Sequence, residues 1–123
     1  MLDHVSIRAT DFAKTCAFYD AVLPSLGYAR QISRDDHVGY GPPTRPYFWV
    51  LTAEPGRAVG RTGHIAFAAA DRPAVDAFHR AALAAGATDN GAPGLRHYHA
   101  DYYAAFVLDP EGHHIEAVCH RPA

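Results

Sequence analysis

Lysine occurs once in these 123 residues, cysteine twice, and tryptophan and methionine once each. Each scarcity removes a class of explanation. Eleven Lys+Arg against 13 Asp+Glu leave a net charge of −2, so the chain has no basic stripe for nucleic acid or an anionic membrane. No apolar run approaches the ~20 residues that cross a bilayer. Cys16 and Cys119 are too few and too far apart for a disulfide framework or a zinc knuckle, and are expected to be buried, reduced thiols. The opening Met1-Leu2-Asp3-His4-Val5 lacks both the basic and the apolar region of a signal peptide, so a cytoplasmic location is expected.

What is present is the balance of an ordinary globular protein: 49% hydrophobic and 20% charged residues, in a length that suits one compact domain, residues 1–123. Nine histidines stand out against that background. Such a density calls for metal binding or proton transfer.

The chain repeats itself. A shift of 60 residues places His4 on His64, Asp11 on Asp71, Ala17 on Ala77, Phe18 on Phe78, Ala21 on Ala81 and Leu23 on Leu83. The Pro- and Gly-containing residues 54–61 then read as a linker between module 1, residues 1–53, and module 2, residues 62–123. In each module a strand of alternating residues leads to an Asp that caps an amphipathic helix, first Asp11 and then Asp71. Short strands follow, near residues 28–34, 37–40 and 47–52 in module 1. In module 2 they are expected near His97 and over 103–108 and 113–119, with residues 89–94 read as a loop. The order is βαβββ, twice.

Alternation assigns the faces. With Val5, Ile7 and Ala9 toward the helix, His4, Ser6 and Arg8 point away from it, as do His64, His114 and Glu116 in module 2. A face this polar suits a cleft better than a packed core. His37, His79, His113 and His120 are expected at edges or in solvent.

The repeat, together with Asp3-His4-Val5, Ala17-Phe18-Tyr19, Gly63-His64-Ile65-Ala66-Phe67 and Asp109-Pro110-Glu111-Gly112-His113-His114-Ile115-Glu116, resembles the vicinal oxygen chelate superfamily. That group includes glyoxalase I, extradiol dioxygenases and the fosfomycin- and bleomycin-resistance proteins. The resemblance implies an α+β fold whose tandem βαβββ modules form an eight-stranded, U-shaped mixed sheet with one helix per module. It also implies a divalent transition metal (Fe, Mn, Zn or Ni) held by His4, His64 and Glu116, with Glu116 as the candidate catalytic carboxylate. Ser6, Arg8, Trp49, Tyr98, His99, Tyr103 and His114 are candidates for the pocket.

Aligning Pro46 with Gly112 sets Val50 opposite Glu116, which leaves no fourth ligand and argues against authentic glyoxalase I chemistry. Two functions follow from the resemblance. One is a metal-dependent lyase, isomerase, thiol transferase or ring-opening oxygenase acting on a small substrate with vicinal oxygens. The other is a metal-free small-molecule binding protein of bleomycin-resistance type. A homodimer is expected in either case.

Overall fold

The computed structural model describes residues 1–123. Module 1 runs β1 (Val5–Ala9), α1 (Phe12–Val22), a 3-10 turn (Leu23–Leu26), β2 (Ala29–Ser33), β3 (His37–Gly41) and β4 (Phe48–Thr52). Module 2 runs β5 (His64–Ala68), α2 (Arg72–Ala84), β6 (Thr88–Leu95), β7 (Tyr103–Leu108) and β8 (His114–Cys119). The eight strands form two four-stranded mixed sheets of identical topology, β1-β4-β3-β2 and β5-β8-β7-β6, in which only the first and last strands of each module run parallel. No strand pairing joins the two sheets, so β1 and β5 are both edges.

Local chemistry explains the helices. Asp11 accepts a hydrogen bond from Lys14 N, and Asp71 accepts one from Ala74 N. These satisfy amide groups that a helix start otherwise leaves bare. Pro73 sits in the first turn of α2, where its missing N–H does no harm, and Gly27 closes the 3-10 turn at φ 82°. Alternation in β1 buries Ile7 and Ala9 and leaves Ser6 and Arg8 exposed. In β5 it buries Phe67 and leaves His64, Ala66 and Ala68 exposed. Both sheets therefore carry one face packed on the helices and one face turned outward.

A single core of 20 buried side chains spans both modules. Phe48 of β4 meets Phe67 of β5 edge-to-face at 5.1 Å, and Tyr28 lies 6.2 Å from the same Phe67 ring. Cys16 and Cys119 are buried free thiols, as expected.

Two local readings of the sequence need correction. Residues 89–94 are not a loop, and the strand expected near His97 lies earlier: β6 covers Thr88–Leu95 and pairs irregularly with β7, the register shifting at Gly91. Gly and Pro weaken strands, but Pro93 is tolerated because β6 is an edge strand. The second correction concerns the last strand of module 1. Ser6 pairs with Trp49, whereas Ala66 pairs with Glu116. Since Ser6 and Ala66 are equivalent in the repeat, Trp49 and not Val50 occupies the place of Glu116. Val50 is fully buried in the core. The turns before the two strands differ by one residue, and a one-residue slip reverses the face of a whole strand.

Gly41 shows how closely the β3–β4 connection folds on itself. A Cβ there would sit 2.2 Å from Arg45 O and 2.9 Å from Pro46 Cα, both backbone atoms. Gly41→Ala is expected to destabilise the fold by about 1–3 kcal/mol through overpacking. A urea denaturation midpoint unchanged from wild type would contradict this.

Candidate functional site

The outward face of the second sheet carries the polar cluster. His64 and His114 are register partners on β5 and β8, and Glu116 lies one step further along β8 beside Phe106 of β7. His64 Nε2 lies 2.6 Å from Glu116 Oε2. The other carboxylate oxygen accepts a hydrogen bond from Tyr102 Oη at 2.5 Å. Glu116 is sunk in the face, its side chain 4% exposed, whereas the His64 side chain is 49% exposed. The carboxylate is thus a buried anchor, and the imidazole is the part a ligand can reach. The Phe106 ring lies 6.0 Å from the His64 ring, and the Arg96 guanidinium sits over the Phe106 ring at 5.1 Å from its centre.

Tyr102 is the residue that sequence reasoning missed. It lies just before β7, where alternation has not yet begun and parity cannot be counted. Burial, followed by the hydrogen bond and charge of Glu116, pushes its hydroxyl up to about 12. It therefore stays protonated at neutral pH and remains a donor. Its ring is boxed by Tyr98 at 4.9 Å, His99 at 5.1 Å and His120 at 5.2 Å, and His99 stacks on His120 at 5.0 Å.

The remaining candidates divide cleanly. Tyr98 and His99 stand beside Tyr102 at the rim of the site. Tyr103, one residue later, turns to the helix side and donates to Asp76 of α2 at 2.7 Å. Ser6 and Arg8 of β1 line a groove of about 430 Å³ together with His64 and His114. Arg8 is already engaged there, donating to Thr52 O at 2.9 Å and pairing with Glu54 at 3.0 Å. Trp49 lies on the outward face of the first sheet, 5.9 Å from His37.

His4 does not join His64 and Glu116. Its Nδ1 lies 2.8 Å from Asp3 Oδ1, and Asp3 also takes Arg45 at 2.6 Å. It lines a separate apolar cleft of about 680 Å³ beside Ala66, Phe67 and Ala68 at the far end of β5. His64 instead lies beside Val5–Arg8. The two edge strands therefore pass each other in opposite senses, which carries the repeat-related histidines apart. No group of three or more His, Cys, Asp or Glu side chains in one chain is arranged to hold an ion. In donor chemistry His64 and Glu116 suit a transition metal, but one chain brings together two of the three expected ligands.

His79 and His113 correct the sequence expectation as well, since both are buried. His79 meets Asp89 at 2.9 Å. His113 belongs to a buried network: Asp109 Oδ2 accepts from Tyr19 Oη at 2.6 Å and faces His113 Nδ1 at 2.9 Å. Burial by itself pushes the Asp109 carboxyl up, but hydrogen bonds from His113 and Tyr19 outweigh it and hold the group below its usual range.

Comparison with known proteins agrees with this architecture. The profile of a glyoxalase-like domain matches residues 4–118. A glyoxalase/bleomycin resistance protein from Albidiferax ferrireducens T118 is 31% identical, with 99% of each chain covered and a TM-score of 0.86. A glyoxalase/bleomycin resistance protein/dioxygenase family enzyme from Burkholderia phytofirmans PsJN is 25% identical, with 97% of this chain and 98% of that chain covered and a TM-score of 0.74. A genomically encoded fosfomycin resistance protein from Listeria monocytogenes shares the fold at 18% identity, with 97% and 92% of the two chains covered and a TM-score of 0.69. No match was found among curated proteins.

Proposed function

Because this chain belongs to the glyoxalase-like domain family, whose scaffold serves several chemistries, we propose that it acts on a small oxygen-bearing molecule bound over His64, Glu116 and Tyr102. The observation that carries this reading is the buried Glu116 carboxylate, fixed by Tyr102 and bonded to a half-exposed imidazole. A carboxylate so placed fixes the orientation of the ring, leaving His64 Nδ1 free to bond a ligand.

The metal-dependent form of this reading needs His4 as well. One chain supplies His64 and Glu116 at contact distance, so a second copy must present its own His4 to complete the set. The expected metal and the expected homodimer thereby become one hypothesis. The outward sheet faces support it: Ser6, Ala66 and Ala68 are exposed there, and the β1 and β5 edges are unpaired. When bound, an Fe, Mn, Zn or Ni ion would polarise two neighbouring ligand oxygens. His64 and Glu116 would hold it, and Tyr102 would orient the carboxylate. Trp49 at the fourth position offers no donor, so turnover of the methylglyoxal–glutathione hemithioacetal is expected to be weak.

A metal-free binding role is the second reading. It is favoured by the bonding of both Glu116 oxygens within the chain, which leaves the carboxylate satisfied without a cation. Metal analysis of untagged protein, combined with light scattering, separates the two. A dimer that carries metal and loses it in His4→Ala supports the shared centre. A metal-free protein supports the binding role. A monomer at micromolar concentration that nevertheless holds metal at His64 would overturn the shared centre.

A further inference from the structure

Tyr102 stands immediately before β7, and its neighbours on both sides are tied to the first turns of α2. Tyr103 turns to the helix side, where its hydroxyl bonds Asp76 and its ring lies under the Arg72 guanidinium at 5.2 Å. Adjacent residues of an extended chain point to opposite faces, so fixing Tyr103 inward sends Tyr102 outward. Asp101, on the other side, is the one non-glycine residue with a left-handed backbone, φ 61°. Aspartate tolerates this conformation better than most residues, but it persists only where the surroundings hold it. Arg72 holds it here, donating through Nη2 to Asp101 Oδ1 at 3.4 Å. The same guanidinium donates through Nε to Arg121 O at 3.3 Å, next in sequence to the His120 ring that packs on Tyr102. One side chain, 20% exposed, thus reaches all three segments that frame Tyr102.

We propose that Arg72 and Asp101 are positioning residues: they fix the backbone on which Tyr102 stands and, through its hydroxyl, the Glu116 carboxylate that faces His64. The inference rests on the reading of His64, Glu116 and Tyr102 as the site, and extends that site to the start of α2. Tyr102 meets Glu116 across the intervening Ala104–Val118 pair. A small rotation of the backbone at Tyr102 therefore becomes a large displacement at its hydroxyl. The Arg72–Asp101 pair is long, and Asp101 is 42% exposed, so it adds little to folding stability by itself. Its effect is on direction. Neither residue touches His64 or Glu116, and both act through Tyr102.

The test is carbon-13 NMR of the full chain at neutral pH, with its seven tyrosines labelled at Cζ, a carbon whose shift reports hydrogen bonding of the hydroxyl. Loss of a signal in Tyr102→Phe assigns Tyr102, and Glu116→Ala marks the position of its hydroxyl without the carboxylate. Arg72→Met and Asp101→Ala are each expected to move the Tyr102 signal at least half of the way to that position. Asp101→Asn, which tolerates the left-handed backbone and still accepts from Arg72, should restore the wild-type shift. Arg30→Met, which breaks a different helix–strand ion pair with Asp20, controls for general loosening and should leave Tyr102 in place. If Arg72→Met does not fold, Asp101→Ala alone decides, since its side chain is exposed. A wild-type Tyr102 signal in Asp101→Ala, or in an Arg72→Met protein that merely melts earlier, would overturn the positioning role while leaving the site intact. A Tyr102 signal unmoved in Glu116→Ala would instead overturn the site, and this inference with it.

Discussion

Asp109→Ala is expected to cost about 3–5 kcal/mol of folding stability, the range for removing one partner from a buried charged network. Four groups lose their acceptor at once: Tyr19 Oη, His113 Nδ1, and the backbone amides of Glu111 and His113. They join α1 to the turn that feeds β8, so the effect falls on the fold and not on the site alone. The same network predicts a pH dependence. Asp109 is held below its usual range in the folded chain, so its contribution is complete above the unfolded carboxyl value of about 3.9 and is lost as pH falls through the folded value. Urea denaturation at neutral pH and near pH 3 should show wild type losing stability on acidification, with Asp109→Asn losing less. Equal acid sensitivity of the two proteins would remove Asp109 from this role.

The second large effect lies in the site. His64→Ala and Glu116→Gln are each expected to lower affinity for Mn, Ni or Zn by more than the about 10–100-fold that follows loss of a supporting hydrogen bond. Tyr102→Phe, which removes only that support from Glu116, should fall within that range. His64 is half exposed, so its replacement should leave the denaturation midpoint almost unchanged. Calorimetric metal titrations of untagged protein give the comparison. An undiminished affinity in His64→Ala would place any bound metal elsewhere and leave the metal-free reading of the His64, Glu116 and Tyr102 array.

The two cases differ in how far spacing along the chain could anticipate them. His64 and Glu116 were assignable to one face because each lies in a strand whose alternation can be counted from several neighbours. Tyr102 precedes its strand and offers no such count, and Tyr103, the neighbour chosen in its place, turns to Asp76. His113 sits one residue before β8 and falls on the core side, where Asp109 receives it. Val50 and Trp49 were exchanged because the β3–β4 turn and the β7–β8 turn differ in length, and alternation has no tolerance for a miscount of one.

The sequence by itself determined the duplication, the capped helices, the strand parity and hence the shared face of His64 and Glu116. These follow from periodicity and caps, which act within a few residues of one another. Only the tertiary structure decided which groups meet: Glu116 with a histidine 52 positions away, His4 with Asp3 and not with His64, and Asp109 with a tyrosine 90 positions away. Such pairings depend on how the two modules pack through Phe48 and Phe67 and on the opposite senses in which β1 and β5 pass. That packing is settled by shape and burial between distant segments, which leave no period in the chain to read.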